Sequence, residues 1–89
     1  MRLFWTQPAL DDRRAIYGTI EADNPTAALD LDELLSEKAA RLLDHPELGR
    51  PGRVKGTREL VAHRNYILSY DVAGDMVRVL HAARMWPPP

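Results

Sequence analysis

Basic and aromatic side chains recur along the second half of the chain, and their types suit a phosphate-bearing partner. Arginine donates to phosphate oxygens, and aromatic rings give bases or apolar side chains a stacking surface. With cations to stabilise a charged transition state and a histidine to move a proton, such a set could also cleave RNA without a metal. The residues concerned are Arg53, Lys55, Arg58, His63, Arg64, Tyr66, Tyr70, Arg78, His81, Arg84 and Trp86.

These charges also have a structural interpretation, because charged side chains on edge strands discourage association between sheets. Residues 1–47 hold five basic and ten acidic side chains, a net charge of −5. Residues 48–89 hold seven basic and three acidic ones, a net charge of +4, and the two halves sum to −1. A basic half joined to an acidic half indicates either an anionic partner or a solvated surface, and the charges alone leave both open.

Composition excludes several other kinds of site. The chain has no cysteine, so it has no disulfide framework and no thiolate metal site. His45, His63 and His81 lack the HxxxH or HExxH spacing of a zinc site, and we expect no metal and no cofactor. The glycines near residue 50 lack the sequence of a phosphate-binding P-loop, and no serine has the context of a nucleophile elbow.

The length of 89 residues predicts one domain, spanning 1–89. The hydrophobic content of 45% and the charged content of 28% are typical of a globular protein. No run of 18 apolar residues occurs, and the opening stretch reaches Pro8 before a signal-peptide core could form. We therefore expect a cytoplasmic protein with no membrane partner.

The sequence predicts a short opening strand at Arg2–Trp5, followed by two helices. Thr6 and Asn24 are suitable N-cap residues, and each is followed by a proline in the first helical turn. Apolar residues at helical spacing continue to about Glu21 and then from 25 to about 44. The short turn between the two segments predicts an antiparallel helix hairpin.

Three strands are predicted after the hairpin, at Thr57–His63, Tyr66–Val72 and Met76–Ala82. In the last of them, alternation places Val77, Val79 and His81 on one side. The resulting order is β-α-α-β-β-β. It predicts an α+β fold in which the opening strand and the helix hairpin pack on one face of a small, mostly antiparallel sheet, leaving the other face open.

Six short segments, in collinear order, resemble the RelE/ParE superfamily of bacterial type II toxins, the plasmid-stabilisation group. They are Trp5–Ala9, Asn24–Ala28, His45–Arg50, Gly56–Val61, Asn65–Tyr70 and His81–Pro87. The resemblance implies the same fold of a helix hairpin on an antiparallel sheet. It also implies a cognate antitoxin whose C-terminal segment wraps the toxin, and contact with operator DNA only indirectly, through that antitoxin.

Two activities are implied by this resemblance. Members similar to ParE bind DNA gyrase and block replication, whereas members similar to RelE are ribosome-dependent endoribonucleases that cut mRNA. This chain departs from the RelE pattern: Ile67 follows Tyr66 where RelE has an arginine, and Leu60 falls near a RelE lysine. The chain therefore looks closer to ParE, with the endoribonuclease as the alternative and a non-toxic interaction or repressor module as a third hypothesis.

The predicted site residues follow from these hypotheses. A gyrase-directed toxin would have no catalytic residue and would bind its target through Arg78, His81, Arg84 and Trp86, whereas a nuclease would use Arg58, His81 and Arg84. The leucine-rich side of the hairpin would bind the antitoxin as a helix or an added strand. The residues expected there are Tyr17, Ile20, Leu31, Leu34 and Leu35.

Overall fold

A computed structural model describes residues 1–85 and consists of two helices and a five-stranded sheet. The strands run in the order β1-β5-β4-β3-β2, and every neighbouring pair is antiparallel except β1 with β5. The elements are β1 (Arg2–Trp5), α1 (Gln7–Glu21), α2 (Pro25–Arg41), β2 (Arg50–Pro51), β3 (Arg58–His63), β4 (Tyr66–Ala73) and β5 (Met76–Arg84). The predicted α+β fold is confirmed, with β2 as an additional two-residue strand.

Both helices begin where their caps predict. The Thr6 hydroxyl accepts a hydrogen bond from the Ala9 amide, and the Asn24 side chain accepts one from the Ala27 amide. Helix α2 ends at Arg41, three residues before the predicted limit, because the amides of the next residues donate to carbonyls only three positions back. That tighter turn satisfies the last carbonyls of the helix.

The core lies between the hairpin and one face of the sheet, which we call the covered face. Its largest fully buried side chains are Leu35, Leu42, Leu68, Tyr70, Val77 and Val79. An ion pair fastens the hairpin at its border: the Arg13 guanidinium donates to both carboxylate oxygens of Asp32, at 3.0 Å each, and lies 4.5 Å from the ring centre of Trp5. One arginine thus connects α1, α2 and β1.

Strand β5 does not keep the simple alternation that the sequence predicts. The register changes between Ser69, which is opposite His81, and Tyr70, which is opposite Val79, so Leu80 is an extra residue. The bulge shifts the alternation, because Val77 and Val79 are buried and the next buried residue is Ala82. His81 therefore leaves the covered face, and its predicted place beside Val77 and Val79 is wrong.

Gly49 allows a close contact with Tyr70, and Gly74 allows the tight turn between β4 and β5. The Gly49 amide donates to the Tyr70 hydroxyl at 2.9 Å, and the hydroxyl donates to the Pro46 carbonyl at 2.7 Å. A β-carbon on Gly49 would lie 2.7 Å from the Tyr70 ring, so this contact requires glycine. Gly74 has a φ of +61° in the two-residue turn between β4 and β5.

Candidate functional site

The second half of β5 lies at an edge of the sheet, because β1 stops pairing at Val79. Two side chains around the start of α1 satisfy the β5 backbone there. The Thr6 hydroxyl lies 3.0 and 3.1 Å from the Val79 and Leu80 carbonyls, to which it can donate. The Asp12 carboxylate accepts from the Ala82 amide at 3.0 Å, and the same oxygen lies 3.1 Å from His81 Nδ1. The imidazole is thus held at the sheet edge with 60% of its side chain exposed.

The face of the sheet opposite the hairpin, the open face, contains a cavity of about 640 Å³ formed by β3, β4, β5 and the loop after β2. We call it the open-face cavity. Four basic side chains line it: Arg50, Arg53, His81 and Arg84. Ile67, Leu80 and Ala83 form an apolar part of its wall, so cations and an apolar surface occur in one concave site.

One polar row crosses the open-face cavity in register. Arg50 pairs with Glu59, Glu59 with Ser69, and Ser69 with His81 on four successive strands. The Arg50 guanidinium lies 3.3 Å from the Glu59 carboxylate, whose side chain is only 12% exposed. Since this pair is neutral overall, the net positive charge of the cavity comes from its other basic residues.

Arg53 and Arg84 supply that charge. Both are exposed, and within residues 1–85 no carboxylate lies within 4.0 Å of either guanidinium. His81 adds a proton-dependent charge that the Asp12 carboxylate can balance. Two arginines that no described carboxylate neutralises, lining a cavity with an apolar wall, are suited to an anionic ligand.

Arg58 lies elsewhere, and this corrects the predicted grouping of nuclease residues. It is in register with Tyr70 on the covered face, and its guanidinium donates to the Gly49 carbonyl at 2.7 Å and to the Glu47 carbonyl at 3.3 Å. The group therefore holds the connection that follows α2. His81 and Arg84 both line the open-face cavity without it; Arg84 does so from the end of β5, where it is in register with Tyr66.

The aromatic part of the predicted basic surface is also corrected. Tyr70 is fully buried, and Tyr66 packs against the core from the same strand, so neither ring lies on the open face. Lys55 and Arg64 are exposed in turns, while His63 accepts a hydrogen bond from the Asn65 amide. Trp86 lies outside the described residues.

Arg78, a predicted target-binding residue, is on the open face but already has a partner. It donates to both carboxylate oxygens of Asp71, at 2.8 and 2.6 Å, from the strand next to its own. The hydrogen bonds and the charge of Asp71 raise the pKa of the Arg78 guanidinium above its usual value. Arg78 therefore presents a neutral ion pair rather than a separate positive charge.

The predicted antitoxin-binding residues fall into two groups. Leu31 and Leu35 are 8% and 1% exposed in the core, so they face the sheet and leave no surface for a partner, which corrects their predicted role. Leu34, Tyr17 and Ile20 are half-buried and keep some exposed surface. Tyr17 lines a cavity of about 450 Å³ on the hairpin, where desolvation and then the nearby Glu21 carboxylate raise the pKa of its phenol.

Sequence reasoning did not single out Asp12, Arg50, Glu59 or Ser69 as members of the site. The Asp12 carboxylate accepts a hydrogen bond from the amide of a residue 70 positions away, and no local sequence pattern predicts such a contact. Glu59 and Ser69 could have been suspected from period-two alternation, which places them on the side of their strands opposite the apolar residues Leu60 and Leu68. Arg50 lies in a strand of two residues, which is too short for such a pattern.

Within residues 1–85, no three His, Cys, Asp or Glu side chains are grouped as metal ligands. Neither helix of that part of the chain has the length and apolar character needed to span a membrane. The described site offers guanidinium, imidazole, carboxylate and hydroxyl groups.

Comparison with known proteins defines the class. The family model described as the ParE toxin of the type II toxin-antitoxin system parDE matches residues 3–86. A relative from Sinorhizobium fredii (strain NBRC 101917 / NGR234), named "Putative toxin Y4kP", is 39% identical over 89 residues, covering 97% of this chain and 93% of its own. The chain belongs to the ParE toxin family of type II toxin-antitoxin systems.

Solved structures agree with this assignment. A chain of the structure titled "Chromosomal ParDE TA system from P. aeruginosa" has a TM-score of 0.86 and 29% identity, with 96% of each chain covered. The "YoeB/ParE toxin from Agrobacterium tumefaciens" has a TM-score of 0.68 over 97% of this chain and 100% of its own. At 17% identity, the second similarity concerns the fold alone.

Proposed function

We propose that this ParE-family toxin stops bacterial growth by inhibiting DNA gyrase in the cytoplasm, and that a cognate antitoxin neutralises it. The family match over residues 3–86 carries the proposal. The target-binding surface is the C-terminal part of β5, where His81 and Arg84 line the open-face cavity. Arg84 is the stronger anchor, because arginine often dominates interface energy and no described carboxylate neutralises this one.

Antitoxin binding is assigned to the outer side of the hairpin. Tyr17 lines the 450 Å³ cavity there, and Ile20 and Leu34 keep partly exposed apolar surface. An amphipathic antitoxin helix would cover this surface. The antitoxin partner is supported by a structural neighbour whose title names a ParDE system. Any contact with operator DNA would then pass through the antitoxin.

Induced expression in a bacterial host tests the function. We expect growth arrest with loss of plasmid supercoiling or accumulation of cleaved DNA, and rescue by co-expression of the antitoxin. Purified gyrase with plasmid DNA should show the same inhibition when the toxin is added. Arg84→Ala should abolish the arrest without lowering the melting temperature, whereas Arg14→Ala, on the exposed surface of α1, should remain toxic. Normal growth at high expression of the unaltered chain would contradict the proposal.

A second candidate function is cleavage of ribosome-bound mRNA, and one observation favours it. His81 and Arg84 line the same cavity, so a proton-transferring group and a cation are close together. Purified toxin with translating ribosomes should then give mRNA cuts that His81→Ala suppresses. Unbroken mRNA alongside inhibited gyrase would exclude this candidate.

A further inference from the structure

The open-face cavity combines positive charge with an apolar wall, and solubility alone would not require this combination. Its volume of about 640 Å³ lies in the range of small-molecule sites. Arg53, in the loop after β2, and Arg84, at the end of β5, line it together with the apolar residues Ile67, Leu80 and Ala83. A ligand that fills it must therefore bear negative charge and a flat or apolar body.

Glu59 restricts the chemical class of ligand that the open-face cavity can bind. Its carboxylate lines the cavity with 12% of the side chain exposed, next to Ser69 in register. The carboxylate oxygen that Arg50 does not bind can accept a hydrogen bond from an N–H group at the edge of a nucleobase, a donor that the carboxylates of an acidic peptide lack. The Glu59 carboxylate and the Ser69 hydroxyl would bind the base edge, and the guanidinium groups would bind the phosphates.

The shape of the site favours an unpaired nucleotide over a duplex. The cavity is concave: strands β3, β4 and β5 form most of its wall, and the loop after β2 borders it. Reading a duplex requires an element that enters a groove, whereas single strands bind where bases lie against a surface and phosphates meet cations. In the absence of an aromatic ring on this face, the apolar wall of Ile67, Leu80 and Ala83 is the surface against which a base would lie.

We propose that the open-face cavity binds one unpaired nucleotide of DNA, through Arg53 and Arg84 at the phosphates and Glu59 at the base edge. The choice of DNA rests on the proposed function, because gyrase acts on DNA. The toxin would then bind the enzyme–DNA complex partly through nucleic acid, and not through protein surface alone.

Fluorescence anisotropy of the purified full chain with labelled 12-nucleotide probes tests the binding. We expect the single strand of DNA to bind at least about tenfold more tightly than the matching duplex. Arg84→Gln and Arg53→Gln should each weaken binding by about tenfold, and each should lower the slope of log affinity against log salt by about 0.7, the loss of one phosphate contact. Arg14→Gln, which removes an exposed arginine from α1, is the matched control and should change neither quantity.

Three results of the DNA-binding measurements would overturn the inference. They are equal affinity for duplex and single strand, unchanged binding in both cavity variants, and displacement of the DNA by an Asp/Glu-rich peptide of equal charge at equal concentration. Tighter binding of the same sequence as RNA, followed by its cleavage, would also overturn it and would support the second candidate function. Unchanged melting temperatures in the variants show that lost binding is not lost folding.

A gyrase assay on the same preparations separates this inference from the proposed function. Inhibition of gyrase by a chain that binds no oligonucleotide would overturn the inference and leave the function standing. Oligonucleotide binding without any effect on gyrase would overturn the function and leave the cavity as a DNA site. Loss of both activities in Arg84→Gln, with Arg14→Gln normal in both, is the result expected if both hold.

Discussion

The two faces of the sheet are formed by the same strands but differ in how their side chains are satisfied. On the covered face, Leu68, Val77 and Val79 are fully buried against the hairpin. On the open face there are cross-strand ion pairs, such as Arg78 with Asp71, and a cavity lined by Arg53 and Arg84, which no carboxylate of residues 1–85 neutralises. The difference indicates that the covered face determines stability, while the open face is available for partners, because its changes remove little buried apolar area.

Truncation of a core leucine should have the largest effect. Leu35→Ala removes a side chain that is 1% exposed and leaves a cavity between α2 and the sheet, so we expect a loss of about 2–5 kcal/mol in the free energy of unfolding. Leu29→Ala is the control on the same helix, because Leu29 is 49% exposed and its loss should change stability by less than about 0.5 kcal/mol. Urea denaturation measures both, and similar losses would contradict the assignment of the core.

Crowding the contact between Gly49 and Tyr70 should have the next largest effect. In Gly49→Ala the new β-carbon would lie 2.7 Å from the ring and 2.8 Å from the hydroxyl of Tyr70, so we expect a loss of about 1–3 kcal/mol. Gly18→Ala is the opposite control: nothing lies within 4 Å of its β-carbon, and alanine in a helix should stabilise by about 0.5–1 kcal/mol. Thermal unfolding should show a lower melting temperature for Gly49→Ala and a higher one for Gly18→Ala. Shifts of the same sign would contradict the prediction.

Much of the covered face could be predicted from sequence, since its signals are local. Caps at Thr6 and Asn24 located both helices, and period-two alternation located Leu60 and Leu68 on the buried side of their strands. The arrangement of the open face could not be predicted in the same way, because it depends on contacts between segments that are distant in the sequence. The bulge at Leu80 arises from pairing between strands, and it moved His81 to the edge, where Asp12 from a distant helix holds it.

Arg58 and Arg53 show the same contrast within one residue type. The sequence placed both in one basic cluster, because spacing does not reveal that the Arg58 guanidinium is used by the Glu47 and Gly49 carbonyls. Arg58→Gln should therefore lower the free energy of unfolding by about 1–2 kcal/mol through lost charge-assisted hydrogen bonds. Arg53→Gln should leave stability within about 0.5 kcal/mol and reduce toxicity.

Chemical denaturation and a growth assay on the same two variants check this prediction. The informative result is a crossed pattern, in which Arg58→Gln is less stable and Arg53→Gln is less toxic per folded molecule. If the Arg58→Gln variant stays fully folded and loses all toxicity, Arg58 belongs to the functional site and the prediction is wrong. Lys55→Gln, an exposed change in the same loop as Arg53, controls for general loss of positive charge.

The ion pair between Arg78 and Asp71 should give the smallest effect, although its geometry is the most regular on the open face. Its two hydrogen bonds are 2.6 and 2.8 Å, but 43% of the Arg78 side chain is exposed, so water and salt screen the charges. A double-mutant cycle with Arg78→Gln and Asp71→Asn should show a weak favourable coupling at low salt that shrinks toward zero at 1 M salt. The buried contacts of Leu35 should show no such salt dependence, because they involve no charge. A strong coupling that persists at high salt would mean that the open face also determines stability, and the contrast between the two faces would fail.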